Sequence, residues 1–433
     1  MPGDAALAIT GGTVLAPARS VVGDVVIVDG RIVSGATDVG TTEAKQSGTG
    51  RHDHGTVGAG AERPVVGSSV GHHVRPVAGG TIPAAGTGVA ASIDATGLLV
   101  GPGLVDLQCN GAGGIDLTAE PERLWEVAAL LPRWGVTAWL PTIVTGPPEI
   151  RVRALAALRA GPPASVDPGR CATPLGLHLE GPFLSRERRG AHRAEHLAAP
   201  DPAVVEAEGW SAQAGVALVT LAPELVGARE VIVELVARGT VVSAGHSSAT
   251  AAQATAAIDG GVSYVTHLFN GMAPLHHREP GLAGVALTDP RVRVGLIADG
   301  VHLHPTTVAL AAHALGPRLS LVTDAVAALG GPGDVGAGTG VRLADGTLAG
   351  STLSLDRAVR NLGAWAELSL PAALAAASSR AADVLGLADR GWVAPGAVGD
   401  LVLLDRSGEV MVTVVGGRVA FDRRTLRPHP RYV

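Results

Sequence analysis

The sequence predicts an α/β fold: a (β/α)8 TIM-type barrel with a small β-sandwich domain built from both chain termini. Three observations carry this. Eight short apolar runs recur between Leu104 and Thr323, separated by Ala- and Leu-rich stretches with helical spacing. Several runs end in a polar or metal-binding residue type, which is where a barrel places its chemistry. Hairpin signals stand at both ends of the chain, and neither end has enough of them to close a core alone.

Taken in order, Ala6 to Ile9 and Gly23 to Ile32 read as short strands, with Asp29-Gly30 as a hairpin turn between apolar runs. Residues about 38–90 are rich in Gly, Ala, Ser, Thr and His with little apolar periodicity. They bury too little to offset their ordering entropy and read as a flexible insertion, its Arg51-His52-Asp53-His54 and His72-His73 solvated. From Gly101 the rhythm becomes strand, loop, helix. The runs are Leu104 to Leu107, Val136 to Leu140, Leu175 to Leu179, Val216 to Leu221, Thr240 to Ala244, Tyr264 to Thr266, Val292 to Ile297 and Leu319 to Thr323. Helical spacing marks Glu122 to Leu131, Ala228 to Ala237, Thr250 to Ile258, Asp356 to Leu368 and Pro371 to Leu385. Asp400 to Leu404, Val412 to Val415 and Gly416-Gly417-Arg418-Val419 return to hairpins. The expected domains are therefore 1–100 with 390–433 for the β-domain and 101–389 for the barrel.

A chain of 433 residues buries roughly three quarters of its unfolded surface and needs no disulfide staple. Its hydrophobic fraction is 46% with 3% aromatic, and its mean hydropathy is +0.31. A net charge of −6 and a pI near 6.2 leave no basic footprint for nucleic acid. A small phosphorylated substrate needs only a local pair of cations and is not excluded. Two cysteines, Cys109 and Cys171, are too few for a framework and fit a reducing cytoplasm. Met1 to Thr10 lacks the basic and apolar regions of a signal peptide, and no run of about 18 apolar residues offers a membrane span.

The third run ends in His178-Leu179-Glu180-Gly181-Pro182, the fifth in Gly245-His246-Ser247, the sixth in Thr266-His267-Leu268, the seventh in Ala298-Asp299-Gly300-Val301-His302 and the eighth in Thr323-Asp324. Glu180, His246 and His267 are the ligand set and number of a catalytic zinc site with one position left for water. Each alone reads as a polar strand end; together with Asp324 they are hard to explain as packing. A divalent ion lowers the pKa of a bound water and polarises a carbonyl. Asp324 is then placed to take that water's proton and return it to a leaving amine. His192, in Arg189-Gly190-Ala191-His192, is a candidate oxyanion donor, its competing reading being an exposed loop residue.

The segments LHLEGPFLS…RGAH, AGHSSAT, THLFNGMAP…REPGLAG, IADGVHLHP, LVTDA and LAGSTLSLDRAVRN resemble those of the N-acetylglucosamine-6-phosphate deacetylases of the amidohydrolase superfamily, in order from about Gly101 to Asp405. That resemblance implies deacetylation of an acetamido sugar 6-phosphate to acetate and the amino sugar phosphate. It implies Glu180, His246 and His267 as metal ligands, Asp324 as general base and then acid, and His192 on the acetyl carbonyl. It places Gln108, Ala191, His192, Asn270, Gly271, Arg278 and His302 on the substrate side, with Arg278 and His302 toward the phosphate. These contacts partly cross a dimer interface in the family, so a homodimer is implied.

Many amidohydrolases carry His-x-His after the first strand, where this chain has Gln108-Cys109-Asn110. Amides are poor transition-metal ligands, so one divalent metal is expected: zinc first, with iron, cobalt or manganese fitting the same donors. Rival readings are the galactosamine isomer as substrate, a cyclic-amide hydrolase or deaminase, and a catalytically dead scaffold. Gln108 and the position of the only lysine, Lys45, weigh against the second. The presence of all three ligands and the Asp weighs against the third.

Overall fold

The computed structural model describes residues 6–15, 20–35, 89–331 and 340–425. Strands β1 (Ala6–Val14), β2 (Val21–Val28), β3 (Arg31–Ser34), β4 (Val89–Asp94) and β5 (Leu99–Pro102) precede the barrel. The barrel strands are β6 (Leu104–Cys109), β7 (Val136–Val144), β8 (Leu177–Glu180), β9 (Val216–Leu221), β10 (Val241–Ala244), β11 (Tyr264–Val265), β12 (Arg293–Leu296) and β13 (Leu319–Leu321). Strands β14 (Leu401–Leu404), β15 (Val410–Val415) and β16 (Arg418–Asp422) follow it. The expected insertion at 38–90 lies almost wholly outside the described residues.

The β2–β3 turn is the one the sequence signals: Asp29 and Gly30 take φ of 49° and 74°, the double positive φ of a type I′ hairpin. Gly416 and Gly417 (φ 53° and 79°) do the same between β15 and β16. The small sheet runs β16-β15-β14-β5-β1-β2-β3, with β4 also on β1. Its pivot is β5, antiparallel to β14 from the far end of the chain and parallel to β1. The sheet curls so that its β3 end meets the segment leading into β14, through an Arg31–Val398 bridge and a Gly399 N–H to Gly30 O bond of 2.7 Å. Ile9, Ile27 and Ile32 thereby share one core with Leu403, Val412 and Val414, as facing layers of a sandwich do.

All eight predicted runs become barrel strands, each parallel to the next from β6 to β13. The seam between β13 and β6 is closed above by a Cys109–Ala325 bridge and by Asp324 N–H to Gln108 O at 2.9 Å. The third strand starts two residues later than its apolar run. Gly176 (φ 118°) breaks the chain there, and Thr173–Pro174 pairs separately with β7. A helix follows each barrel strand, among them Pro148–Ala160 after β7 and Leu355–Trp365 after β13.

One helix differs from expectation. The segment predicted as a single helix from Pro371 to Leu385 is two, Leu370–Ala376 and Ser379–Val384. The break frees the Ala377 carbonyl to accept from Val105 N–H at 2.7 Å, so it supplies β6 with a partner where β13 does not reach. Among the described residues no helix is long and apolar enough to cross a membrane.

Candidate active site

Glu180 is the last residue of β8, and its side chain points into the barrel on the face of His178, two residues before it. Both are buried. His178 lies below, its Nε2 2.8 Å from Thr220 Oγ1 and its Nδ1 3.1 Å from Leu107 O. Burial holds its imidazole neutral by lowering its pKa to about 4. Gly181 turns the chain out of β8 at φ 89° because a side chain there would collide with Thr145 Oγ1.

His246, His267 and Asp324 follow β10, β11 and β13, all three with left-handed backbone (φ 50°, 29° and 48°). That conformation costs roughly 1–2 kcal/mol in a residue with a side chain, and surrounding contacts hold it. Ser185 N–H donates to His246 O at 2.9 Å, Leu268 N–H to Gly295 O at 2.8 Å, and Ser351 N–H to Asp324 O at 2.8 Å. Gly271 (φ 60°) lies flat on the His246 ring, where a Cβ would come within 2.7 Å of Nδ1.

Three donor atoms converge. His246 Nε2 stands 3.1 Å and His267 Nε2 3.0 Å from Glu180 Oε1, and the two imidazole nitrogens are 3.1 Å apart. These approach the edges, about 3.3 Å, of a tetrahedron with bonds near 2.05 Å. The Nδ1–H of His246 donates to Arg188 O at 2.8 Å, which leaves its Nε2 as a bare lone pair aimed at a carboxylate oxygen. A divalent ion between these atoms would take up all three electron pairs, and these residues fit one. The electrostatics agree. Burial alone would raise Glu180, but the closeness of the His246 and His267 rings, where a cation would sit, holds it well below the carboxylate range. Burial, then the charge of Glu180, pushes Asp324 up, a shift that a cation at this point opposes.

Asp324 Oδ1 accepts from Asn110 Nδ2 at 2.7 Å and from Gln108 Nε2 at 3.1 Å. The same Gln108 amide reaches Glu180 Oε1 at 3.1 Å. Gln108 therefore lies beneath the site, tying the two carboxylates together. His192 is buried, and Thr145 N–H donates to its Nδ1 at 3.3 Å, so Nε2 carries the proton, 3.8 Å from Glu180 Oε2. Burial and the neighbouring His246 push its pKa to about 3, which makes it a neutral donor.

Above these groups opens a cavity of about 530 Å³. Ala191, His192, Asn270, Gly271 and His302 line it, as do Glu180, His246, His267 and Asp324. His302 is oriented by its Nδ1, 2.7 Å from Asp299 Oδ2. Arg278 is exposed, its guanidinium 2.9 Å from His277 Nε2, and is not among the lining residues. The lining also includes residues the sequence did not single out: Asn110, Arg342 and Leu348–Gly350. Period-two spacing gave a signal for Asn110, since Asp106, Gln108 and Asn110 share one face of the first strand and its exit. For Leu348–Gly350 the signal was the LAGS stretch that follows the last barrel strand.

Fold and site together define a class: a parallel barrel that gathers three nitrogen and oxygen donor atoms and a further carboxylate at its strand ends. The family model described as the amidohydrolase family matches residues 99–420, and the chain belongs to that family. It is 38% identical over 359 residues to a Bos taurus N-acetylglucosamine-6-phosphate deacetylase, covering 77% of this chain and 86% of the relative. An Escherichia coli O157:H7 N-acetylgalactosamine-6-phosphate deacetylase is 37% identical over 338 residues, covering 74% and 88%. A Mycobacterium smegmatis N-acetyl-D-glucosamine-6-phosphate deacetylase mutant, solved in complex with N-acetyl-D-glucosamine-6-phosphate, superposes with a TM-score of 0.74 at 32% identity, covering 96% of this chain and 99% of that one.

Proposed function

We propose that this chain deacetylates N-acetylglucosamine 6-phosphate, releasing acetate and glucosamine 6-phosphate. The convergence of Glu180, His246 and His267 at 3.0–3.1 Å, with the Asp324 carboxylate beside them, carries the reading. The named relatives supply the substrate.

Glu180, His246 and His267 would hold one divalent ion, zinc first by donor type, with iron, cobalt or manganese suited to the same set. When bound, the ion supplies a water of lowered pKa and polarises the acetyl carbonyl. Asp324 takes a proton from the attacking water as its oxygen bonds to the acetyl carbon. Asp324 then delivers that proton to the sugar nitrogen as the C–N bond breaks. The Nε2–H of His192 faces the carbonyl oxygen and stabilises the charge that gathers there. Ala191, Asn270, Gly271 and His302 border the sugar, and Gln108 acts from below on the two carboxylates. Both cysteines are free and buried, as suits a cytoplasmic enzyme.

The function is tested by acetate release from N-acetylglucosamine 6-phosphate, with the galactosamine isomer assayed in parallel and bound metal measured by elemental analysis. Faster turnover of the galacto compound would overturn the substrate, and no release from either would overturn the reaction.

Arg278 stands on an exposed loop off its own cavity, so its role toward phosphate requires a homodimer in which it reaches the partner's site. Arg278→Ala is expected to raise KM for the phosphorylated sugar roughly 10- to 100-fold, the worth of a charge-assisted hydrogen bond or two. It should leave the unphosphorylated analogue unchanged. Equal effects on both sugars, or a monomer in sedimentation, would remove the role.

A further inference from the structure

Among the buried acids that the mechanism leaves unused, Asp106 stands nearest the site. Asp106 lies inside the barrel, 1% exposed, below Gln108 on β6. Its Oδ1 accepts from the backbone N–H of Gln108 and of Thr323, each at 3.2 Å, and its Oδ2 accepts from Thr323 Oγ1 at 2.6 Å. A carboxyl in a barrel interior loses hydration that an apolar side chain would not, so packing does not account for it. What it does is join the two sides of the barrel seam. Gln108 belongs to β6 and touches both Glu180 and Asp324. Thr323 lies beyond β13 and immediately precedes Asp324, whose left-handed backbone depends on the peptide before it. Below this level β6 bonds to Ala377 instead of to β13, so the carboxylate spans the seam where no ladder does. The same peptide is held from the other side by Ser351 Oγ on Thr323 O at 2.6 Å.

We infer that Asp106 is a positioning residue for the reaction: it latches β6 to the peptide before Asp324 and so sets where the Asp324 carboxylate stands over the attacking water. The inference rests on the role of Asp324 proposed above. A displacement near 1 Å of a catalytic group costs about 100-fold in rate.

The test uses the full chain loaded with its cation and follows kcat and KM for acetate release, with bound metal measured. Asp106→Ala is expected to lower kcat about 100-fold with KM within about threefold and bound metal unchanged. Asp106→Asn is expected to recover kcat to within about fivefold, because its Oδ1 can accept from both backbone N–H groups while its amide donates to Thr323 Oγ1. If the alanine variant does not fold, Thr323→Val removes the hydroxyl leg, with its contacts to Gln108 O and Ala325 N–H, leaves the backbone leg to Asp106 in place, and is expected to lower kcat about tenfold at constant KM. A metal-loaded Asp106→Ala or Thr323→Val with the parent's kcat would overturn the latch, since a purely structural role moves only the thermal midpoint. So would an Asp106→Asn as slow as the alanine, because charge and not contact would then matter. Asp324→Asn serves as the control. If it stays active, the role of Asp324 fails; if it is inactive while Asp106→Ala is not, the latch alone fails.

Discussion

Asp324→Asn is expected to lower acetate release by about 10³- to 10⁴-fold, the range general acid–base catalysis contributes at its upper end. Bound metal should stay at the parent's level. The substitution is nearly isosteric, and the new Oδ1 can still accept from Asn110 Nδ2 and Gln108 Nε2, which now meet the Asp324 Oδ1 at 2.7 and 3.1 Å. What it removes is the capacity to take a proton from water and give it to the departing nitrogen. KM is expected to change little, because Asp324 does its work after the substrate is seated. Elemental analysis beside steady-state kinetics reads both quantities from one preparation. Metal lost together with activity would make Asp324 a ligand and not a base.

Glu180→Ala is expected to weaken cation binding by more than about 100-fold, beyond what loss of an outer-sphere partner costs. Activity should fall to background. Glu180 Oε1 is the atom that both imidazoles face, and without it His246 and His267 hold two ligand nitrogens and no charge. Chelation of the parent should reproduce the loss and lower its thermal midpoint. A site filled at ~1,000 times Kd contributes about 4 kcal/mol to the folded state. The Glu180→Ala protein should show no further shift on chelation, and a scan with and without chelator decides it. A midpoint that moves equally in both proteins would place the stabilising ion elsewhere.

Much of the site was legible because its members end strands, where an apolar run stops abruptly at Glu180, His246, His267 or Asp324. Others were hidden for physical reasons. Every residue of β6 is buried, so the alternation that exposes an inward polar residue in a one-sided sheet is missing, and Asp106 reads as an interruption. Gln108 was expected against the substrate. It lies instead under the two carboxylates, a placement that depends on barrel closure and not on spacing. The split near Ser378 was invisible because Ala-rich sequence has high helix propensity throughout. What breaks it is the demand of a β6 N–H for an acceptor. Arg278 shows a third limit. Its exposure is evident within one chain, but the phosphate role proposed for it would need a surface on a second copy.

The small sheet needs β5 to meet β14, and almost the entire barrel is made between them. On the ribosome β1 and β5 emerge early and wait, with one open strand edge, until residues past Leu401 have been added. Vectorial synthesis thus exposes a sticking point for as long as the barrel takes to translate. The last three strands act as a clasp: a message truncated before Leu401 encodes every barrel strand and still leaves that edge bare.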